Sequence, residues 1–391
     1  MVLMKLFVPA LALAGLASAA SGDCDGKVIQ NQGDADGLAS CRTITGDLEV
    51  SERASGTISI SGVQRVNGKF TCKGAVNLTE LSASSLSRIG DAFLLSGLTT
   101  LASLRFDALT EVDSINFEAL PRLQQLSFSK GVSKASRLRI ANTDLVNLGG
   151  INLNTVGDME ISNNPHLTEV NVNQITNTTG FVSFSANNMK LKVTFPNLEN
   201  ALNMTFRNVS AISLPSLKKT TGLLGLYSNY IEDFSAPNLT STGDLVLAAN
   251  SQLSNLSLPL LEDVRGAFQV ANNTNLKSIT DVPKLKKLNG ALDLSGNFTE
   301  IRLPSVDEVR GQVNIQSSDD KFSCSTFEKD LKPNTRGKFT CLSNVKDPQS
   351  TDPNNNGKPK PSSGIAMSDN VLSRGGVTMI ALLTAIVGMA F

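Results

Sequence analysis

The sequence lacks most of the residues on which enzyme active sites depend. Among its 391 residues there are one histidine, no tryptophan and two tyrosines, and 18% carry a charge. A single imidazole argues against a histidine-based zinc site and offers no second histidine for acid–base catalysis. Basic and acidic residues are equal at 35 each, so no broad basic field can hold a nucleic acid. We expect no catalytic residue, no cofactor, no metal and no nucleic-acid partner.

Apolar residues, by contrast, are abundant, and both ends of the sequence are rich in them. They make up 40% of the chain, which is enough to bury a core and excludes disorder over the whole length. Near the start, Lys5 precedes the apolar run Leu6–Leu16, and Ala17-Ser18-Ala19 supplies small residues for cleavage. This pattern predicts a signal peptide at residues 1–19 and therefore a secreted chain.

The C-terminal end carries the features of a glycosylphosphatidylinositol (GPI) signal. The run Val377–Phe391 is apolar to its last residue, and small residues and a polar spacer precede it. We predict attachment at Ser362, with Ser368 as the alternative, and a propeptide at 363–391. Four prolines among Asn, Ser and Gly in the preceding segment predict an extended stalk at 346–362.

Between the two ends, a pair of apolar residues two positions apart recurs at intervals of 20 to 24 residues. Residues two apart share one face of a strand, so each pair predicts a short strand with its apolar side turned inward. The thirteen pairs are Leu48/Val50, Phe70/Cys72, Phe93/Leu95, Ile115/Phe117, Leu138/Ile140, Met159/Ile161, Val182/Phe184, Leu202/Met204, Leu224/Leu226, Leu245/Leu247, Phe268/Val270, Leu292/Leu294 and Val313/Ile315.

Three further residue types recur at fixed positions relative to the apolar pairs. Glycine usually stands two positions before the pair, as a tight corner requires, and Pro-x-Leu precedes that corner in the later repeats. Asparagine stands five positions after the first apolar residue, which predicts an asparagine ladder between stacked coils, with a polar binding stripe as the alternative. The ladder residues are Asn164, Asn187, Asn229, Asn250, Asn273 and Asn297.

These periodic features predict a mainly β solenoid of about 13 coils at residues 46–318, similar to leucine-rich repeats and roughly 60 Å long. The ends of a solenoid need caps, and we place them at 20–45 and 319–345. One cysteine pair lies in each cap, and each pair is 17 positions apart. In an oxidising compartment the sequence predicts two disulfides, Cys24–Cys41 and Cys324–Cys341.

The fifth cysteine, Cys72, occupies an inward position of the second predicted strand. We favour a buried free thiol that packs as a small apolar residue. The alternative is a bridge from Cys72 to Cys41 or Cys24.

Eight N-x-Ser/Thr sequons occur between residues 77 and 299. We expect glycans on several of them, which are Asn77, Asn177, Asn203, Asn238 and Asn255. Asn203 should point outward from its strand. Asn297 is both a sequon and a predicted ladder residue, so we expect its amide to face inward and to be poorly modified.

Candidate catalytic groups do not form an evident cluster in the sequence. His166 follows a proline and is expected to be a surface residue. The aspartates Asp244, Asp263, Asp293 and Asp307 fall at different positions of their coils. Because β-solenoid enzymes that act on polysaccharides use Asp and Lys, an enzyme is disfavoured rather than excluded. The two tyrosines, Tyr227 and Tyr230, offer few platforms for sugar stacking.

The ordered set of these features resembles the fungal GPI-anchored cell-wall organisation proteins. The phrases LPSLKKTTGLLGLYSN, APNLTSTGDLVLAAN and LPLLEDVRGAFQVANN carry the resemblance best. It implies a receptor L-domain-like repeat region, that is, a right-handed β-helix. It also implies a role in cell-wall integrity, at the plasma membrane outer leaflet and partly at wall glucan.

We therefore expect a non-enzymatic GPI-anchored surface glycoprotein that organises the cell wall. Its expected partners are wall glucan or other wall glycoproteins, and the plasma membrane through the GPI lipid. Two alternatives remain. One is a tethered glycan-active β-helix enzyme. The other is a receptor-like module that binds a secreted peptide or protein, which fold analogy alone supports.

Overall fold

The computed structural model describes residues 24–350, and within them the fold is a β-solenoid of about 14 turns. The predicted signal peptide, most of the predicted stalk and the predicted anchor signal lie outside the described residues. All strand pairs in the described range are parallel, and each turn of the chain adds strands to up to three faces. Within residues 24–350, no helix is both long and apolar enough to cross a membrane.

Face 1 is the broad sheet that runs the length of the solenoid. Its strands are Lys27–Ile29, Leu48–Val50, Phe70–Lys73, Arg88–Ser96, Glu111–Leu120, Arg137–Thr143, Asp158–Ser162, Phe181–Ser185, Asn203–Arg207, Leu224–Tyr227, Leu245–Ala248, Phe268–Ala271, Leu292–Gly296, Val313–Ser317 and Phe339–Leu342.

Face 2 lies before face 1 in each turn, and face 3 lies after it. Face 2 consists of Thr43–Ile44, Arg65–Val66, Val132–Lys134, Ile151–Thr155, Asn200–Ala201, Lys219–Thr220, Ser241–Thr242, Asp263–Val264, Lys287–Leu288 and Glu308–Val309, with the first residues of the two longest face 1 strands. Face 3 consists of Ser55–Ser59, Asn77–Ser82, Ser103–Arg105, Glu169–Asn171, Lys192–Thr194, Ala211–Ser213, Asp233–Ser235, Asn255–Ser257, Ser278–Ile279 and Glu300–Ile301.

The repeated apolar pairs form the core behind face 1. Twelve of the thirteen predicted pairs are buried and stand in register from turn to turn. The eighth prediction was wrong by two residues, because Met204 and Phe206, rather than Leu202 and Met204, align with the pairs before and after. Leu202 is exposed instead. Leu202, Met204 and Phe206 alternate, so the local sequence alone could not decide between the two registers.

The corner between face 2 and face 1 is built from glycines stacked on one another. A Cβ on Gly290 would lie 2.4 Å from the carbonyl carbon of Gly266, and a Cβ on Gly311 would lie 2.4 Å from the carbonyl oxygen of Gly290. None of these stacked glycines has a positive φ. Glycine is needed here because the backbones of successive turns approach closely, and not because the corner has an unusual conformation.

Acidic or amide side chains strengthen four of these glycine corners. Each accepts a hydrogen bond from a backbone N–H of the next turn, at 2.7 to 3.1 Å. A glycine in that next turn leaves room, since a Cβ there would lie 2.0 to 2.2 Å from the accepting oxygen. The four side chains belong to Asp47, Asp158, Asn203 and Asp244.

The corner between face 1 and face 3 holds the predicted asparagine ladder. Asn250 Oδ1 accepts from the N–H and Nδ2 of Asn229, and Asn250 Nδ2 donates to Leu226 O and Asn273 Oδ1. The residue before each ladder position adopts a positive φ, as at Ala249. Five of the six predicted members are buried and bonded in this way, in two runs that are interrupted at residue 209.

The prediction that Asn297 belongs to the asparagine ladder was wrong. Its side chain is partly exposed and does not join the ladder. The preceding strand, Leu292–Gly296, is one residue longer than Phe268–Ala271 in the turn before. Gly296 does not adopt the positive φ that is found before each ladder asparagine. The buried position there is taken by Phe298.

Both ends of the described range carry a disulfide and a short helix. Cys24–Cys41 and Cys324–Cys341 are bonded, which are the pairs that the equal spacing predicts. The helices are Gln32–Asp36, Ser325–Asp330 and the 3-10 turn Lys332–Asn334. Each predicted cap also adds a strand to face 1, Lys27–Ile29 and Phe339–Leu342. The first departs from the pattern of apolar pairs because Lys27 is the partner of Leu48, whereas Phe339 and Cys341 keep the pattern as partners of Val313 and Ile315.

Cys72 is a buried free thiol, and no disulfide to Cys41 or Cys24 forms. Burial, with a smaller contribution from the charge of Glu49, raises the pKa of Cys72 to about 12. The thiol therefore stays protonated at neutral pH and is a poor nucleophile.

Candidate functional site

A groove of about 480 Å³ lies on face 2, in the N-terminal half of the solenoid. Its residues come from five successive turns, and it lies beside the corner to face 1. Its charged and polar lining comes from Arg88, Glu111, Asp113, Lys134, Ser136, Thr155, Asn177 and Thr179.

The groove arises where the strand register is irregular. The pairing of Glu111–Leu120 with Arg88–Ser96 shifts between Val112 and Ser114. A second shift separates the pairs made by Val132 and Lys134 with the next turn. Such irregularities bend a strand away from its neighbours. Face 2 therefore opens here, whereas the later turns stack regularly.

The charges in the groove are already paired with each other. Glu111 lies between Arg88 and Lys134 of the neighbouring turns, at 3.2 Å from each. Ser136 Oγ donates to the backbone oxygen of Asp113 at 2.7 Å and to its Oδ1 at 3.0 Å. Donors and acceptors thus alternate along the groove, an arrangement that suits a neutral, hydroxyl-rich ligand better than an ionic one.

One predicted glycosylation site borders the groove. Asn177 is exposed, its Oδ1 accepts from Asn200 Nδ2 at 2.8 Å, and its Nδ2 donates to Thr176 Oγ1. A glycan on Asn177 would therefore begin at the rim of the groove.

Face 1 presents a second polar surface, centred on Arg139. Its guanidinium lies 2.7 Å from Glu118 Oε2 and 3.4 Å from Glu160 Oε2. The hydrogen bond that Arg139 donates to Glu118 is the main reason that the pKa of Arg139 is raised, and it outweighs the opposing effect of burial. Arg139 thereby ties three successive turns together by pairing with both carboxylates.

Further along face 1, an arginine and a tyrosine stack. The Arg207 guanidinium lies 4.2 Å from the centre of the Tyr227 ring. The ring lies over Gly225, where a Cβ would be 2.5 Å from Tyr227 Cε2. Partial burial raises the pKa of Tyr227, although Arg207 opposes this shift. Arg207 already occupies the ring, so the platform is not open for sugar stacking.

The C-terminal turns of face 1 are covered by the chain itself. Residues 345–350, which we call the strap, run back over the outward side of the sheet. Gln349 donates its N–H to Gln316 Oε1 and accepts from Asn314 Nδ2, both at 2.9 Å. Ser350 Oγ bonds to Asp293 Oδ2 and accepts from Gln269 Nε2. The strap thus overlies Asp293, Asn314 and Gln316, polar side chains on the outward side of the sheet that are nevertheless buried.

The five asparagines predicted to carry glycans lie on the surface of different faces. Asn77, Asn177, Asn238 and Asn255 are exposed, and Asn203 is partly exposed. Asn203 points outward from face 1, but its Oδ1 also accepts a corner hydrogen bond from Leu223. The sequence signal did not separate these roles, because asparagine serves both.

The remaining candidate catalytic residues are not brought together. His166 is exposed and its ring contacts Asp144. Asp244 is a corner acceptor and Asp293 lies under the strap, whereas Asp263 begins a strand of face 2. Among residues 24–350, no three His, Cys, Asp or Glu side chains group as a metal site requires. The groove residues were not identified from the sequence, since nothing in the repeat pattern marks a register shift.

Comparison with known proteins gives close relatives over nearly the full length. The family model for Ecm33, described as a GPI-anchored cell wall organization protein, matches residues 1–39. The chain is 47% identical to a cell surface GPI-anchored protein of Arthroderma benhamiae, over 94% of each chain. It is 45% identical to Protein ecm33 of Aspergillus fumigatus, over 90% of this chain and 89% of that one.

A more distant relative is the cell wall protein ecm33 of Schizosaccharomyces pombe. It is 30% identical over 88% of this chain and 82% of its own length. No solved structure matches the chain.

Proposed function

Since the chain belongs to the Ecm33 family of GPI-anchored cell wall organization proteins, we propose that it acts without catalysis, as a rod that binds wall polysaccharide. It is a GPI-anchored protein of the cell surface and cell wall with a role in wall organisation. The relative from Schizosaccharomyces pombe bears the name of a cell wall protein. What we propose beyond this is the absence of enzymatic activity, the class of partner and the surface that holds it.

The groove on face 2 carries the proposal. It is concave over five turns, and its lining combines amide, hydroxyl and paired charged groups with apolar residues such as Val112 and Val156. A polysaccharide offers hydroxyl groups that can both donate and accept, and it needs no net charge from the protein. Wall glucan fits these properties, and we favour it over a wall glycoprotein as the direct partner.

The ion pairs of the carboxylates support binding rather than catalysis. Glu111 is held between two cations, and Glu118 and Glu160 share Arg139. A glycoside hydrolase uses two carboxyl groups that flank the scissile bond. These three carboxylates instead face basic side chains of neighbouring turns.

The test uses the full protein released from membranes by phosphatidylinositol-specific phospholipase C and sedimented with insoluble wall glucan. We expect the double variant R88A/K134A to bind glucan at least fivefold more weakly than the wild type. The variant K218A is the matched control, because Lys218 pairs with Glu199 at 2.9 Å across neighbouring turns of the same face but outside the groove.

Three outcomes would reject this proposal. Equal loss of glucan binding in R88A/K134A and K218A would remove the groove as the site. Sedimentation with deglucanated wall protein instead of glucan would make a glycoprotein the partner. Release of new reducing ends from wall glucan by the wild-type protein would show an enzyme.

We also propose that the lipid is attached at Ser362, at the end of a segment 346–362 whose first residues form the strap and whose remainder is an extended stalk. Small residues at 362–364 and the apolar run at 377–391 support this position. Mass spectrometry of the C-terminal peptide after phospholipase treatment tests it. A peptide that ends at Ser368 would move the anchor to the alternative site.

A further inference from the structure

Two exposed apolar side chains lie beside the sequon at Asn203. Phe181 is 43% exposed and Leu202 is 38% exposed. Phe181 is the direct partner of Asn203 in the parallel pairing of their strands, and Leu202 precedes Asn203 in the chain. The two exposed side chains therefore flank Asn203, Phe181 across the strand pair and Leu202 along the chain.

The amide of Asn203 has a fixed orientation. Its Oδ1 accepts the N–H of Leu223, in the following turn, at 2.8 Å. Only the oxygen can face that donor, so the nitrogen occupies the other branch of the planar amide group. Oδ1 points to the following turn, so Nδ2 is directed away from it. Phe181 belongs to the preceding turn.

We propose that an N-linked glycan on Asn203 folds over Phe181 and Leu202, so that its first sugar residues bury this apolar pair. The carbohydrate is linked through Nδ2, and the bond leaves Oδ1 free to keep its hydrogen bond to Leu223. The apolar face of a sugar ring can pack on the Phe181 ring, while its hydroxyl groups remain in water. The glycan is therefore a part of the folded surface and not a mobile appendage.

A conservative substitution can remove the glycan and still keep the hydrogen bond that residue 203 makes at the corner. Asn203→Asp removes the sequon but keeps an oxygen that can accept from Leu223. Asp47, Asp158 and Asp244 make the same bond at equivalent corners, so the variant should fold. The matched control is Asn255→Asp, since Asn255 is an exposed sequon whose strand partner is the polar Asp233.

The experiment compares the wild type, Asn203→Asp and Asn255→Asp, all secreted by a glycosylating host. We expect glycopeptide mapping to find Asn203 occupied in the wild type. We expect Asn203→Asp to raise the fluorescence of a dye that binds apolar surface at least twofold and to lower Tm by about 2 °C. Asn255→Asp should change neither quantity.

Two further measurements assign the effect to the first sugars on Phe181. Trimming the wild-type glycans to a single N-acetylglucosamine should leave the dye signal low. In a Phe181→Ser background, Asn203→Asp should cause no further increase. An unoccupied Asn203, equal effects of Asn203→Asp and Asn255→Asp, or an undiminished increase in the Phe181→Ser background would each overturn the proposal.

Discussion

The two corners that flank face 1 hold successive turns against each other by different means. At the entry corner, successive turns approach so closely that any Cβ would overlap the backbone of the turn before, as at Gly290 and Gly311. At the exit corner, a large amide side chain fills the space and bonds to both neighbouring turns, as at Asn250. One corner is specified by the absence of a side chain and the other by its hydrogen bonds. Substitutions at the two corners should therefore fail for different reasons.

The largest effect is expected at the glycine corner. Gly290→Ala places a methyl group 2.4 Å from backbone atoms of Gly266, which cannot move without shifting a whole turn. We expect a loss of about 3 kcal/mol in the free energy of unfolding, measured by chemical denaturation.

Gly56→Ala is the control that separates the steric cost of a Cβ from the cost of a positive φ. Gly56 has a φ of +68°, and a Cβ there would meet nothing within 4 Å. Only the conformational cost of about 1 kcal/mol should appear. Equal costs at Gly290 and Gly56 would contradict the explanation from close approach.

The asparagine corner should lose somewhat less. Asn250→Ala leaves the N–H and Nδ2 of Asn229, the oxygen of Leu226 and Asn273 Oδ1 without these partners in a buried place. We expect about 2 kcal/mol of destabilisation in the same assay. Asn297→Ala should stay within about 0.5 kcal/mol, because Asn297 lies outside the ladder. A comparable cost for both variants would show that the ladder bonds do not set the stability of this corner.

The strap offers a smaller test of the same amide chemistry. Gln316→Ala removes the acceptor of the Gln349 N–H, and we expect the exchange of that amide hydrogen to accelerate about tenfold. Gln349→Ala is the control, since among residues 24–350 its side chain bonds only to Asp347 O, within the strap. If the Gln349 amide exchanges as slowly in Gln316→Ala as in the wild type, other contacts hold the strap.

The smallest effect concerns an inward position between the corners and depends on pH. Because the pKa of Cys72 is about 12 in the folded protein, its thiol ionises first in the unfolded chain. The stability linked to Cys72 is complete below pH 9 and decreases as pH rises toward 12. Relative to Cys72→Ala, the wild type should lose about 1 kcal/mol between pH 8 and pH 10. Parallel pH profiles of the two proteins would contradict this assignment.

The sequence predicted what repeats and missed what departs from the repeat. The apolar pairs, the glycine corners and five ladder asparagines share one period, so each repeat supports the others. The exceptions are local: the register at Met204, the longer strand before Asn297 and the groove between Arg88 and Lys134. Each depends on how one turn aligns with its neighbours, which the local sequence does not state. The reason for the glycines was also hidden, because close approach and positive φ select the same residue.

The strap sets the point on the solenoid at which a pull on the C-terminal segment would act. The last described residue of the strap, Ser350, is bonded to Gln269 and Asp293 and does not lie at the terminal strand Phe339–Leu342. Gln269 lies three strands inward from that terminal strand, about 14 Å along the stack. A pull between wall and membrane would load the flank of the rod through the strap's polar bonds and spare the disulfide-closed tip. The last three turns then act as a short lever arm beyond the pivot.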